Sequence, residues 1–316
     1  MSGSLRGYQA LREGAAFLDL AGRGEIRVTG QDRVRLLHAM TTNHIEQLQP
    51  GQGCYAFLLN AQGRILADVN LLRFPDYLLL DTEPETRELV FKHLDKHIIA
   101  DDVTLEDLTA RTAVAGLEGP QSSEILRTLG APLPEAWHSH AAWGSRIVAR
   151  LSSTGAPGFR IFAPLEERPE LLQQLHSAGA VAAGPEAART VRLELGRPRY
   201  GEDFSDKHLP QETQLLHALH FNKGCYLGQE IVERIRSRGL VHRLLMRLRV
   251  QTAESPAAGA KILAGEKETG EITSAAFSPA LGKVVALGYL RREEIRSQTP
   301  LTAGGALVEI ADEPPD

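Results

Sequence analysis

The first third of the chain alternates between strand-like and helix-like patterns of hydrophobic residues. Apolar side chains recur at helical spacing in residues 31–40 and 84–97. Alternating or short apolar runs bounded by turn residues mark the strands. Strands are predicted at residues 25–30, 54–60, 64–74, 77–81 and 103–108. Consecutive hairpins with helices between other strands predict an α+β fold, with a sheet that carries its helices on one face.

The middle of the chain repeats this mixture of strands and helices. Strands are predicted at residues 112–117, 146–151 and 159–163, and helices at residues 122–129, 169–178 and 185–195. From about Arg243 the pattern changes to short apolar strands with glycine-containing turns and almost no helix. That pattern predicts a small C-terminal β-barrel. We therefore expect domains at residues 1–110, 111–242 and 243–316, with part of the middle segment packing on the first.

Composition and charge exclude several classes of protein. The chain is 42% hydrophobic and 24% charged, with a net charge of −5, which predicts an ordinary globular protein without a general attraction to nucleic acid or anionic membranes. No apolar run approaches the roughly 20 residues that span a bilayer, and residues 1–10 lack the apolar core of a secretory signal. The two cysteines do not form a disulfide framework, so we expect a cytoplasmic protein.

Cys225 is the first candidate for chemistry. Gly224 and Gly228 flank it, and the residues after Gly228 take up helical spacing. A thiol just before a helix N-terminus, with Lys223 two residues upstream, is expected to favour the thiolate. The alternative interpretation is a small buried residue in a tight turn.

Asp68 is the second candidate, because it lies inside a predicted strand, where aspartate is disfavoured. Strand alternation places it on one face with Leu66, Asn70 and Leu72. If that face meets a partly dry cavity, the pKa of Asp68 is expected to rise, which suits a general base or a contact to a protonated ring. The alternative is a solvated aspartate at a sheet edge.

A basic run and several histidines complete the candidate list. Residues 223–249 contain seven lysines and arginines against two glutamates, so we expect either a solvated face or an anion site. Tyr226 is the one aromatic residue there, which weighs against single-stranded nucleic acid, and no direct nucleic-acid partner is expected. His93 and His97 lack an evident third ligand, and the spacing of His217, His220 and Cys225 is not typical of zinc sites, so no metal site is predicted.

The segment Lys223-Gly224-Cys225-Tyr226-Leu227-Gly228-Gln229-Glu230 resembles the K-G-C-Y-x-G-Q-E signature of the YgfZ family. These folate-binding proteins are related to the glycine-cleavage T-protein, an aminomethyltransferase, and are implicated in iron–sulfur cluster assembly or repair. Weaker similarities lie at residues 63–66, 192–196 and 270–274. The resemblance implies three domains around a central opening that holds folate.

The resemblance also implies roles for particular residues. Asp68 matches the second of two adjacent acids in T-proteins, and Ala67 stands where the first would be. Ala156 stands where T-proteins carry a glutamate that holds the pterin. Tetrahydrofolate or a derivative is the implied cofactor, with Cys225 and Asp68 as catalytic residues. The implied cofactor-binding residues are Asp68, Asn70, Arg192, Glu194, Lys223, Tyr226, Gln229 and Glu230. An exposed helical charge pair is the alternative interpretation of Arg192 and Glu194.

Three hypotheses about function follow. The first, implied by the resemblance, is a tetrahydrofolate-binding accessory protein that assembles or repairs iron–sulfur clusters in client enzymes, including enzymes that modify tRNA. The second is a folate-dependent one-carbon transferase, against which Ala67 and Ala156 count. The third is a scaffold or RNA-contacting protein that uses basic residues such as Arg236 and Arg238.

Overall fold

A computed structural model of the protein describes residues 3–239, 241–297 and 299–311. Within these ranges the chain forms two open sheets and one closed barrel. No helix in this part of the chain is long and apolar enough to cross a bilayer. The predicted α+β class with a C-terminal barrel is confirmed.

The first sheet is built from residues 24–107 and carries helices on one face. The helices and strands of the chain up to residue 107 are α1 (Gly3–Glu13), β1 (Ala16–Asp19), β2 (Gly24–Thr29), α2 (Arg33–Met40), β3 (Gly53–Leu59), β4 (Ile65–Arg73), β5 (Leu78–Thr82), α3 (Arg87–Asp95) and β6 (Thr104–Asp107). The sheet is antiparallel, in the order β3-β4-β5-β2-β6. Leu37 of α2 and Leu94 of α3 pack with Ile26 and Val69 in one core, as the hydrophobic pattern predicts.

The alternation of side chains in β4 differs from the prediction at one residue. Leu66 has no partner on β3, because the pairing steps from Ala67 directly to Ile65. Leu66 is thus the extra residue of a β-bulge, and it packs against the same core as Ala67. The prediction that Leu66 shares a face with Asp68 and Asn70 is therefore wrong, whereas Asp68 and Asn70 do share one.

The second sheet takes one strand from the start of the chain. Its segment contains β7 (Thr112–Glu118), α4 (Ser122–Thr128), β8 (His140–Trp143), β9 (Arg146–Ala149), β10 (Gly158–Pro164), α5 (Arg168–Ser177), β11 (Val181–Ala182) and α6 (Pro185–Glu194). The strand order is β11-β1-β7-β10-β9-β8. β1 pairs antiparallel with β7 and parallel with β11, and α1 packs on α6. Residues 16–19 therefore belong to this sheet, although they precede the other sheet in sequence.

The stretch after α6 returns to the first sheet and ends in α7 (Gln229–Arg238). Tyr226 and Val232 pack with Phe57 and Leu59 of β3, on the side away from α2 and α3. The cysteine motif is consequently fixed to the first sheet rather than to the second.

The barrel is formed by the C-terminal part of the chain. It consists of β12 (Arg243–Val250), β13 (Lys261–Ala264), β14 (Lys267–Ser278), β15 (Lys283–Arg291), α8 (Arg292–Ile295), β16 (Leu301–Ala303) and β17 (Ala306–Ile310). The six strands close in the order β12-β15-β14-β13-β16-β17. Closure pairs the strand edges, which removes exposed edges as a route to aggregation.

A buried cluster of charges joins the two open sheets. Arg23 donates to both carboxylate oxygens of Asp81, at 2.6 and 3.0 Å, and Arg160 of β10 donates to Oδ2. Asn70 also donates to Oδ2, at 2.8 Å. Burial opposes ionisation of Asp81, but Arg160 and Arg23 outweigh it and hold its pKa well below the usual range. Burial and the neighbouring Asp81 raise the pKa of Glu25, so Glu25 stays protonated.

We expect Asp81→Asn to lower the free energy of unfolding by about 3–5 kcal/mol at pH 7, because Arg23 and Arg160 would keep buried charges without their partner. Urea denaturation measures this loss. The folded-state pKa of Asp81 is depressed, so its contribution is complete above about pH 4 and fades as the pH falls below that value. The matched control is Glu88→Gln, which removes an exposed pair with Lys92 and should change the stability far less than Asp81→Asn does. Equal losses in the two variants would contradict the prediction.

Candidate functional site

A cavity of about 420 Å³ opens where the two open sheets meet α6 and the stretch that follows it. This volume lies within the roughly 300–1,000 Å³ range of small-molecule sites. Leu18, Leu20, Ala188 and Leu215 supply apolar walls. The principal polar lining residues are Arg23, Tyr55, Asp68, Asn70, Glu83, Arg160, Arg189, Arg192, Arg197, Arg199, Glu202 and His217.

Asp68 faces this cavity from the middle of β4. The hydroxyl of Tyr55 donates to Oδ2 at 2.8 Å, whereas Oδ1 is buried and has no hydrogen-bond partner among the described residues. Burial, followed by the charge of Glu83, raises the pKa of Asp68 to about 6. This shift agrees with the expectation for an Asp68 that faces a cavity. Such a carboxyl can take a proton from a bound molecule or return one near neutral pH.

Glu83 is the acid beside Asp68, and it behaves differently because arginines surround it. Arg23 donates to it at 2.5 Å and Arg199 contacts it at 2.8 Å. Although Glu83 is buried, these two charges lower its pKa. Glu83 therefore remains ionised, and its negative charge favours the protonated form of Asp68.

Most arginines that line the cavity are already paired with carboxylates. The paired ones are Arg23 with Asp81 and Glu83, Arg160 with Asp81, Arg189 and Arg192 with Glu202, and Arg199 with Glu83 and Glu85. The guanidinium of Arg197 has no hydrogen bond or ion pair in the described part of the chain. Burial and then the charge of Arg197 lower the pKa of His217, which also lines the cavity. Arg197 is thus the lining cation that an anionic ligand could pair with.

Asn70 lines the cavity, but the protein uses both of its polar side-chain atoms. Nδ2 donates to Asp81, and Oδ1 lies 3.2 Å from Nε2 of His138. Burial lowers the pKa of His138 to about 3, so the ring is neutral and donates its Nε2 proton to Asn70. His138 has a positive φ of 63°, which is uncommon outside glycine. Sequence reasoning missed His138, because no local motif connects it with β4.

Arg192 and Glu194 are both buried, so their interpretation as an exposed pair is wrong. Arg192 reaches the cavity, but its guanidinium donates to Asp203 at 2.5 Å and Glu202 at 2.6 Å. Glu194 is not among the residues that line the cavity. Its carboxylate accepts hydrogen bonds from Tyr8, Arg12 and Ser278. These contacts tie α6 to α1 and the barrel, which explains why the charges are buried.

Cys225 is exposed and lies four residues before the start of α7, as the sequence predicts. Gly228 has a φ of 83°, and a Cβ there would lie 2.6 Å from the carbonyl oxygen of Asn60. At Gly224 a Cβ would meet no heavy atom closer than 3.8 Å. The turn therefore requires glycine at position 228, whereas position 224 has room for a side chain.

The sequence predicted that Lys223 favours the thiolate of Cys225, but its ammonium is directed to other groups. Its ammonium is buried and donates to the carbonyl oxygens of His38, Thr41 and Asn43 at 2.5, 2.6 and 2.8 Å. Burial lowers the pKa of Lys223 to about 7, and the nearby Cys54 and Glu46 oppose that shift. Lys223 pins the motif to the first sheet, and all three of its donors are committed, which leaves none for Cys225.

The other motif residues also lie outside the cavity. Tyr226 is packed in the core beside β3, with the Lys223 ammonium 4.9 Å from its ring centre. Gln229 is the first residue of α7, and Glu230 is exposed and pairs with Arg234 at 2.8 Å. Asp68 and Cys225 therefore belong to two separate sites, because none of the motif residues lines the cavity.

Cys54 lies against the core of the first sheet, and several arginines of the basic run contact groups in other parts of the protein. Cys54 packs against the core of the first sheet, and burial raises its pKa to about 12, which agrees with the core interpretation. Along the basic run, Arg236 contacts Glu233, Arg243 contacts Glu212, and Arg247 donates to the carbonyl oxygen of Glu194. These partners distribute the run over α7 and the barrel instead of gathering it into one anion site.

Comparison with known proteins covers nearly the whole chain. A family model described as the GCVT N-terminal domain matches residues 2–223. A model described as the glycine cleavage T-protein C-terminal barrel domain matches residues 243–310. The chain belongs to the glycine cleavage T-protein family. The T-protein-like fold that the sequence implied is thereby confirmed.

Individual members of the T-protein family show the same extent of similarity. An aminomethyltransferase of Rubrobacter xylanophilus is 30% identical over 97% of this chain and 82% of its own length. A putative chloroplastic transferase of Arabidopsis thaliana is 28% identical over 97% of this chain and 72% of its own. The crystal structure of aminomethyltransferase T from Bartonella henselae superposes with a TM-score of 0.90 at 24% identity, covering 98% of this chain and 88% of that one. This last likeness concerns the fold.

The two alanines at which the chain departs from the T-protein pattern contribute no carboxylate to the cavity. Ala67 lies on the core side of β4, and Ala156 is buried beside Tyr8 and Leu11. Neither position therefore supplies a second carboxylate beside Asp68.

We expect Asp68→Asn to become more stable relative to the wild type as the pH rises from 4 to 8, by about 1–3 kcal/mol. The folded-state pKa of Asp68 is raised, so ionisation penalises the folded wild type above its unfolded pKa, whereas asparagine stays neutral. Urea denaturation across this pH range gives the difference. Asp76→Asn, at an exposed position, is the control and should show no such trend. A stability difference for Asp68→Asn that does not change with pH would show that the pKa is not raised.

Proposed function

We propose that the central cavity binds tetrahydrofolate and that the protein is a folate-dependent one-carbon transferase of the aminomethyltransferase type. The observation that carries this proposal is the Asp68 carboxyl, which faces the cavity with one buried oxygen that no described residue contacts. The names of the curated relatives support the same reaction class.

The residues of the cavity fit a folate. Oδ1 of Asp68 can accept a hydrogen bond from a ring N–H, and the apolar walls from Leu18, Leu20 and Leu215 suit a flat ring. Arg197 can pair with a carboxylate of the glutamate tail, because its guanidinium has no partner among the described residues. Tetrahydrofolate, when bound, supplies the nucleophilic nitrogen that accepts the one-carbon unit.

Asp68 supplies the proton transfer that such a reaction needs. Oδ1 of Asp68 would accept the proton that a nitrogen nucleophile gives up as it bonds to the carbon, since Tyr55 holds Oδ2. The same carboxyl can return the proton to the departing group of the donor as the bond between that group and the carbon breaks. A pKa of about 6 places both forms within reach near neutral pH.

We expect Asp68→Asn to weaken tetrahydrofolate binding by roughly tenfold or more and to slow methylene transfer from a lipoamide-bound aminomethyl donor by about 10²–10⁴-fold, because the proton acceptor is lost. Titration calorimetry gives the affinity, and formation of 5,10-methylenetetrahydrofolate gives the rate. Asp76→Asn should leave both unchanged. Absence of binding heat with the wild-type protein would refute the folate assignment, whereas binding without turnover would refute only the transferase.

A second candidate function has its own observation. Cys225 is exposed in a sequence that resembles the YgfZ signature, and it lies outside the cavity. We propose as the alternative that the protein assists iron–sulfur cluster assembly or repair in client enzymes, including tRNA-modifying ones, with Cys225 as the functional thiol.

We expect Cys225→Ser to lose the ability to restore cluster-enzyme activity in cells that lack the protein, if the alternative holds. The measurement is the activity of a tRNA methylthiotransferase or an aconitase-type enzyme after complementation. Cys54→Ala removes the buried thiol and is the matched control, with the level of folded protein checked in each strain. Full rescue by Cys225→Ser would eliminate the thiol-dependent role and leave the transferase.

A further inference from the structure

Three histidines form a row beside the cysteine motif, outside the cavity. The rings of His38 and His44 meet edge to face with centres 4.7 Å apart, and those of His44 and His220 do so at 4.9 Å. His38 comes from the end of α2, His44 from the loop after it, and His220 from the stretch before Cys225. None of the three lines the cavity that holds Asp68.

A carboxylate completes the group. Oε2 of Glu46 lies 3.9 Å from Nε2 of His38, and Glu46 is exposed enough to change its side-chain torsions freely. One ligand atom from each of His38, His44 and Glu46 lies within 4.8 Å of the other two. Nδ1 of His44 is buried and has no hydrogen-bond partner among the described residues, although a buried polar atom normally has one.

We propose that His38, His44 and Glu46 form a binding site for a divalent first-row transition-metal ion, of the zinc or ferrous class. Two imidazoles and one carboxylate make the ligand set of several zinc enzymes and of non-haem ferrous sites. Magnesium and calcium are disfavoured at this site, because they prefer sets of oxygen ligands.

The geometry requires a small closure around the ion. Zinc binds imidazole nitrogen and carboxylate oxygen at roughly 2.0–2.2 Å, which places tetrahedral ligand atoms about 3.3–3.5 Å apart. Rotation of the exposed Glu46 side chain can supply part of the movement.

Two contacts oppose binding and limit its strength. The backbone N–H of Ile45 donates to Nδ1 of His38 at 3.3 Å, and ligation through Nε2 would move the ring proton to Nδ1 and give up this hydrogen bond. The Lys223 ammonium also lies close enough to affect both rings. Its charge is held by three carbonyl oxygens, and the carboxylate of Glu46 offsets it. We therefore expect weaker binding than in a four-ligand structural zinc site.

The proposed metal site lies beside the cysteine motif. A Cβ added to Gly224 would lie 3.8 Å from Nε2 of His38, so the backbone of the cysteine motif passes directly beside a ligand atom. Cys225 is the next residue and is exposed. A bound ion would thus lie next to the motif and apart from Asp68.

The test is a titration of untagged, full-length protein with Zn²⁺ in competition with a chromogenic chelator. We expect the wild type to bind one equivalent, and Glu46→Gln and His44→Ala each to weaken binding at least about tenfold, since even outer-shell partners of metal ligands cost that much. Millimolar Mg²⁺ should not compete. His97→Ala is the matched control, because His93 and His97 form another pair of neighbouring rings, with centres 4.9 Å apart.

The following results would overturn the proposal. Failure of the wild type to compete with the chelator would show that no site exists. Loss of binding in His97→Ala, with retention in Glu46→Gln, would place the ion at the pair His93 and His97, near the end of α3. Circular dichroism checks the fold of each variant. If His44→Ala is unfolded, the exposed Glu46→Gln decides alone, and unchanged affinity in that variant counts against the site.

Discussion

The pairing of Asp81 with Arg23 and Arg160 is the interaction on which the cavity depends. Arg23 and Asp81 come from the first sheet or its border, and Arg160 comes from the second, so one buried carboxylate holds two sheets at a fixed distance. Asn70 donates to the same carboxylate, and Asn70, Arg23 and Arg160 all line the cavity. The contact that joins the sheets therefore also orients the polar wall between them.

This arrangement explains why the pKa of Asp68 is raised, whereas the pKa values of its neighbours Asp81 and Glu83 are lowered. Burial alone would raise the pKa of every carboxyl in the region, and arginines reverse that effect where they make direct contact. Asp81 and Glu83 have such contacts and stay ionised, whereas Asp68 is held by the neutral hydroxyl of Tyr55. The distribution of arginines, more than the number of acids, determines which carboxyl can exchange a proton near neutral pH.

The loop between α2 and β3 connects the cavity with the cysteine motif. Asn43 donates to the carbonyl oxygen of Tyr55, and its own carbonyl oxygen accepts a hydrogen bond from Lys223. The strand that positions Asp68 through Tyr55 and the turn that presents Cys225 are thereby fixed to one short segment. Asp68 and Cys225 therefore have separate surroundings, although this segment links their positions.

The sequence by itself determined the local features of this protein. Alternation and helical spacing predicted most strands and helices, the glycine-containing strands predicted the barrel, and Cys225 and Asp68 were identified as unusual from their neighbours in sequence. Tertiary structure decided what those neighbours contact. Lys223 turns to three carbonyl groups, Glu194 pairs with Tyr8 and Arg12, and His138 orients Asn70 from the turn before β8. Periodicity reports which residues are buried, but a charged or polar atom takes whichever partner the folded chain brings within hydrogen-bond distance, and most of these partners are far away in sequence.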